Sequence, residues 1–154
     1  MNYQKIYTYD FANGPGVRVS LFVSGCSIHC PGCFNKQAWD FCSGKKFTWR
    51  QMRGIKKLLK SDKIDGLSIL GGEPFDQDKK GLKKLIKLCK YAHKYDKDVW
   101  AWTGHYLVEF ANDKDKYELA KNCDVIVEGP FEEEHKDYNL AWRGSRNQRL
   151  MFLM

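Results

Sequence analysis

The stretch Val17-Arg18-Val19-Ser20-Leu21-Phe22-Val23, continued by Ser24-Gly25-Cys26-Ser27-Ile28-His29-Cys30-Pro31-Gly32-Cys33, decides how this chain reads. Its first part is apolar and rich in β-branched and aromatic residues, the pattern of a buried strand. Its second part is punctuated by Gly25, Pro31 and Gly32, so three thiols at spacing C-x3-C-x2-C lie on a loop leaving the strand's C-terminal end. Neither regular helix nor regular strand converges three side chains at these offsets. Thiolates are soft ligands and select iron–sulfur clusters, zinc or Cu(I). A 4Fe-4S cluster is usually held by four thiolates; with three, one iron keeps a position open for a substrate. The spacing of Cys26, Cys30 and Cys33 favours such a cluster. The alternative is a structural zinc site completed by His29 or Cys42, but zinc ligands usually come as two separated pairs and no second C-x-x-C exists.

Working outward, residues 5–9 read as a short edge strand, and Asn13-Gly14-Pro15-Gly16 as a turn expected to shape the pocket beside the thiols. Arg18 alternates with apolar residues, so its side chain is expected to face away from the densest core. Beyond the thiols, residues 34–39 suggest a short helix. Thr48 and Gln51 form a capping box, and Met52, Ile55, Leu58 and Leu59 give the helix that follows one apolar face. Leu67-Ser68-Ile69-Leu70 is a second core strand; a helix between two buried strands is a βαβ unit with a right-handed crossover. A clear helix spans residues 82–92, Val99-Trp100-Ala101-Trp102 is a third strand, a helix lies within 115–121, and Val125-Ile126-Val127 is a fourth strand. The basic segment from Trp142 to Arg149 reads as a solvated tail. The class is α/β with a mainly parallel sheet. Four or five βα units are too few for an eight-stranded barrel of roughly 250 residues, so the expected form is an open partial barrel, one domain over residues 1–154.

In parallel sheets, sites form at the carboxyl ends of the strands. Gly71-Gly72-Glu73-Pro74 falls there. Adjacent glycines let a ligand approach the backbone closely, Pro74 keeps Glu73 extended, and exposed carbonyls beside a carboxylate suit an ammonium group. Thr103, ending the third strand, is placed to hydrogen-bond a cofactor. His105 reads as a solvated loop histidine, and Cys42, Cys89 and Cys123 as structural.

The bulk numbers exclude several classes. Hydrophobic residues make up 43%, which argues against disorder. The first ten residues contain no apolar h-region, and no run reaches the roughly 18 apolar residues of a membrane span. A cytoplasmic protein is expected, in which clustered cysteines mean metal or catalysis. The net charge of +7 suits a nucleic-acid binder, but Lys83, Lys84, Lys87, Lys90 and Lys94 form the solvated face of one helix. Neither nucleic acid nor membrane is expected as a partner.

The three-cysteine loop after a first strand resembles the radical S-adenosylmethionine (radical SAM) enzymes. The run from Asn13 to Arg18, with Phe22 and Gly25-Cys26, resembles the glycyl-radical activases among them. The nearest group is the family that activates anaerobic ribonucleoside-triphosphate reductases, with Gly71-Gly72-Glu73-Pro74, Trp102-Thr103-Gly104 and Trp142-Arg143-Gly144-Ser145 at fitting places. The resemblance implies a 4Fe-4S cluster on Cys26, Cys30 and Cys33. It also implies SAM held by Gly32, Cys33, Phe34, Gly71, Gly72, Glu73 and Thr103. The glycine turn binds the amino group of SAM's methionine part, so a side chain on Gly72 should crowd that ligand. The family pattern has an aromatic before the third cysteine, where this chain has Gly32; Phe34 is expected to supply that surface. The implied reaction is reductive cleavage of SAM to a 5′-deoxyadenosyl radical, which takes a hydrogen atom from a glycine of the reductase large subunit. The electron comes from a donor such as a flavodoxin. Two other classes remain: a radical SAM enzyme acting on a small molecule, such as a deazapurine-forming synthase, and a zinc-stabilised nucleic-acid-binding module.

Overall fold

A computed structural model describes residues 1–153. Seven strands form one sheet: β1 (Asn2–Asp10), β2 (Arg18–Val23), β3 (Lys45–Lys46), β4 (Gly66–Gly71), β5 (Asp98–Trp102), β6 (Val125–Glu128) and β7 (Arg149–Phe152). Three helices accompany them: α1 (Trp49–Leu59), α2 (Lys79–Lys94) and α3 (Lys114–Lys121). The order across the sheet is β3-β1-β2-β4-β5-β6-β7. The middle pairs β2/β4, β4/β5 and β5/β6 are parallel, whereas β1/β2, β1/β3 and β6/β7 are antiparallel. The architecture is therefore an open mixed sheet with three helices. This corrects the expectation of a mainly parallel open partial barrel of four or five βα units. The physical reason lies at the flanks. β1 runs back along β2 through a short turn, which places it inside the sheet rather than at an edge. The segment 142–149, read as a solvated basic tail, instead leads into β7, which pairs with β6.

The central strands alternate as buried strands must. Val19, Leu21, Val23, Leu67, Ile69, Val99, Ala101 and Ile126 point to the helices and join Ile55, Leu59, Leu85, Leu88 and Leu119 in the main core. The capping box at α1 is present: the Thr48 backbone N–H donates to Gln51 Oε1 at 2.8 Å, and Thr48 Oγ1 accepts from the Arg50 N–H. Cys89 and Cys123 are buried core thiols. The opposite phase of the strands forms a smaller cluster, Trp100, Val125 and Val127, with Trp102 and Leu150 against it.

Arg18 belongs to that second face, yet it is wholly buried. Its guanidinium donates to Ser68 Oγ (2.6 Å), Asp98 Oδ1 (2.8 Å) and the carbonyls of Pro15 and Leu67 (3.0 Å each). A buried charge persists when paired and fully hydrogen-bonded, and here one side chain ties the N-terminal ends of β2, β4 and β5. Residues 13–16 cover it: a side chain on Gly14 would run into Arg18. This turn therefore serves the end of β2 remote from the thiols and does not shape their pocket.

Candidate metal centre

Cys26, Cys30 and Cys33 all line one cavity of about 230 Å³ at the C-terminal ends of β2, β4, β5 and β6, room for a polyatomic group rather than a lone ion. Phe34, Gly71, Gly72, Glu73 and Thr103 line the same cavity. Gly32 does not; its φ is +78°, and a Cβ there would lie 2.9 Å from the Glu133 carboxylate. A side chain at position 32 would sit in a left-handed backbone and push Glu133 aside. Phe34 stands at the mouth, largely exposed, with its ring centroid 5.5 Å from that of Phe131.

The loop that carries the thiols is pinned at its start. Gly25 N–H donates to the Ala38 carbonyl at 2.7 Å, Cys26 N–H to the Trp39 carbonyl at 3.1 Å, and Glu73 N–H to the Gly25 carbonyl at 2.7 Å. The glycine turn lies directly against this backbone. A Cβ on Gly72 would come within 2.5 Å of the Gly25 carbonyl oxygen and 3.0 Å of that of Ala38. At Gly71, with φ +112°, it would meet the Val23 nitrogen at 2.6 Å. The close approach that the paired glycines permit is thus made by β2 at Gly71 and by the start of the thiol loop at Gly72, where the sequence pointed to a ligand.

Glu73 also carries more than the sequence signals. Its carboxylate is buried rather than exposed: Oε1 accepts from Phe75 N–H at 3.0 Å and Oε2 from Gly104 N–H at 2.7 Å. It braces the turn after β4 against the loop after β5. Thr103 is buried, its N–H given to the Val127 carbonyl and its Oγ1 accepting from His105 N–H. His105 is not a solvated loop residue. Its Nε2 lies 2.7 Å from Asp76 Oδ1, and Asp76 in turn accepts from both the N–H (2.9 Å) and the hydroxyl (2.6 Å) of Ser27. Periodicity carries no signal for such a set, because three loops bring it together.

Electrostatics follow from this burial. Desolvation pushes the Glu73 carboxyl up to about 7, against the two backbone N–H donors and the nearby His105 charge. The hydrogen bond to Asp76 raises His105 above its ordinary value. Asp76 is held down at about 2: burial would raise it, but the bonds from His105 and Ser27 outweigh that. Both raised groups stabilise the fold in their protonated forms. Their contribution is complete at low pH and is lost as pH rises, for Glu73 between about 4.5 and 7 and for His105 above its unfolded 6.5. The metal-free protein should accordingly lose on the order of 2–3 kcal/mol between pH 5 and 8. Thermal denaturation across that range should show a falling midpoint, and Glu73→Gln should flatten most of the slope.

The donor set fits an iron–sulfur group. Burial raises the Cys26 and Cys30 thiols, partly offset by backbone N–H donors, so a bound metal must displace their protons. His29 stacks on Trp39, with ring centroids 4.3 Å apart, and Cys42 is exposed; neither lines the cavity. Among the described residues, three donors within 4.8 Å of one another occur at Glu132, Glu134 and His135, on the surface, and not at the three thiols. Trp39 borders the cavity, and its indole N–H is buried without an acceptor among the described residues. No helix among the described residues is long and apolar enough to cross a membrane.

Comparison with known proteins agrees with this chemistry. The model of the 4Fe-4S single cluster domain matches residues 12–151. The chain is 40% identical over 151 residues to the anaerobic ribonucleoside-triphosphate reductase-activating protein of Pasteurella multocida, covering 96% of this chain and 95% of that one. The protein of the same name from Enterobacteria phage T4 is also 40% identical, over 97% of this chain and 93% of its own. That of Escherichia coli strain K12 is 40% identical over 96% of each. With a cluster-domain match over most of its length and relatives that align end to end, the chain belongs to the family of anaerobic ribonucleoside-triphosphate reductase-activating proteins.

Proposed function

We propose that this chain activates an anaerobic ribonucleoside-triphosphate reductase by generating a glycyl radical on its large subunit, using SAM at a 4Fe-4S cluster held by Cys26, Cys30 and Cys33. The observation that carries the reading is the shared cavity: three thiols, with no fourth thiol or imidazole among its lining, face the Gly71-Gly72-Glu73 turn. When bound, the cluster and SAM supply a one-electron reductive cleavage that ends in hydrogen-atom abstraction, the electron coming from a donor such as a flavodoxin. The protein's part is binding, orientation and exclusion of water.

Each wall has its task. The three thiols, once deprotonated, hold iron. The turn at 71–73, braced through Glu73 to Gly104, offers backbone carbonyls to the amino group of SAM. Phe34, beside Phe131, gives an apolar surface for the adenine, and Cys33 and Thr103 complete the cofactor's surroundings. Ile28, Leu70 and Trp102 keep the lining apolar. All of this lies within a single domain.

The test uses a reductase deuterated at glycine Cα, incubated anaerobically with the reconstituted protein, SAM and a reductant. Deuterium should appear in 5′-deoxyadenosine, and the reductase should give a glycyl-radical doublet by electron paramagnetic resonance. Cleavage of SAM with unlabelled 5′-deoxyadenosine and no reductase radical would rule out this partner. Transfer from a small molecule would instead mark a synthase-type radical SAM enzyme.

A further inference from the structure

In the polar group beneath the cavity, the Asp76 side chain joins its own loop to the thiol loop and to the loop after β5. Pro74 opens a one-turn 3-10 helix, residues 74–76, whose first amide is satisfied by Glu73. That turn aims Asp76 back at the thiol loop. Its Oδ2 accepts both the N–H and the hydroxyl of Ser27, next to Cys26; its Oδ1 meets His105 Nε2 on the loop after β5, with Lys116 Nζ of α3 at 3.8 Å. The Asp76 side chain is 7% exposed. Beyond Ser27 the next backbone–backbone bond is the local one from Cys33 N–H to the Cys30 carbonyl, while His29 rests on Trp39. Asp76 thus ties the loop down immediately after Cys26.

We propose that Asp76 is a positioning residue that fixes Cys26 relative to the glycine turn, so that the thiol loop and the turn at 71–73 move as one body. The proposal rests on the three cysteines being the iron ligands. Its physical basis is that charge-assisted hydrogen bonds are stronger than neutral ones, and that groups bonded to a ligand's surroundings orient the ligand. Ser27 contributes two donors to one carboxylate oxygen, a geometry that fixes direction as well as distance. His105 holds the other oxygen, which stops the carboxylate from turning away.

The experiment compares the parent chain with Asp76→Ala, Asp76→Asn and Ser27→Ala. In the metal-free proteins, chymotrypsin cleavage after Phe34 is timed against cleavage after Tyr138, an exposed residue in a separate loop. Asp76→Ala should speed the first roughly 10- to 100-fold and leave the second unchanged, since only a local opening is freed. Asp76→Asn and Ser27→Ala should fall between. In the reconstituted proteins, the reduced cluster's paramagnetic spectrum should change on adding SAM in the parent, and that change should be lost in Asp76→Ala and partly restored in Asp76→Asn. Equal acceleration at both cleavage sites would overturn the proposal, because it signals general loosening. So would a parent-like spectrum and response in Asp76→Ala. If Asp76→Ala fails to fold, Ser27→Ala decides, since it leaves the Asp76–His105 pair in place. A parent chain that takes up no cluster would sink the ligand reading, while the cleavage ratio would still decide the role of Asp76.

Discussion

Anaerobically reconstituted Cys26→Ala, Cys30→Ala and Cys33→Ala proteins should each lose the cluster and all SAM cleavage, whereas Cys42→Ala, Cys89→Ala and Cys123→Ala keep both. The contrast follows from placement. The first three thiols share one cavity; Cys42 is exposed and outside it, and Cys89 and Cys123 lie in the core. With no fourth thiol or imidazole among the cavity's lining, a missing ligand has no substitute there. Iron content and the absorbance near ~400 nm of thiolate-ligated clusters are the measurements. Cys89→Ala removes a buried side chain and should show as a lower thermal midpoint with the spectrum intact. Loss of the spectrum in Cys42→Ala, with retention in Cys30→Ala, would reverse the assignment.

Gly72→Val should be nearly as damaging, and through iron rather than through SAM alone. A side chain at 72 meets carbonyl oxygens of Gly25 and Ala38, which are backbone and cannot swing aside. Overpacking against movable side chains already costs about 1–3 kcal/mol. Here the yielding element is the thiol loop, so its closed form should be depleted roughly 10- to 100-fold. Iron retention after desalting should fall accordingly, and Gly72→Ala should show a smaller loss of the same kind. Parent-level iron with only SAM affinity reduced would show that the glycine faces the ligand instead.

Much of the fold is legible in the sequence because it is written locally. The central strands appear as apolar runs, α1 announces itself by Thr48 and Gln51, and α2 by its period. The thiol loop is legible for the same reason, its three cysteines being close in the chain. What escapes is whatever pairing alone creates. β3 is two exposed lysines that become a strand only beside β1. β7 carries the pattern of a tail until β6 supplies its partner and Glu128 takes Arg149. Arg18 faces away from the main core as its place in the alternating run says, but nothing in that run reveals that residues 13–16 will close over it. The Asp76–His105 contact joins loops after different strands, and no periodicity encodes it. The antiparallel flanks, which turn the expected partial barrel into an open mixed sheet, come from these same short or tail-like segments.

The hairpin of β6 and β7 has a consequence for how labour is divided along the chain. The three thiols proposed to grip iron lie between Cys26 and Cys33, but Gly129, Phe131, Gly144 and Gln148, from the connection between β6 and β7, wall the same cavity. Grip and shelter are therefore encoded far apart. A peptide covering the thiols alone would carry the three donors but neither the bonds that close the loop nor the far wall, so a chelating sequence becomes a protected chamber only once the distant hairpin has formed.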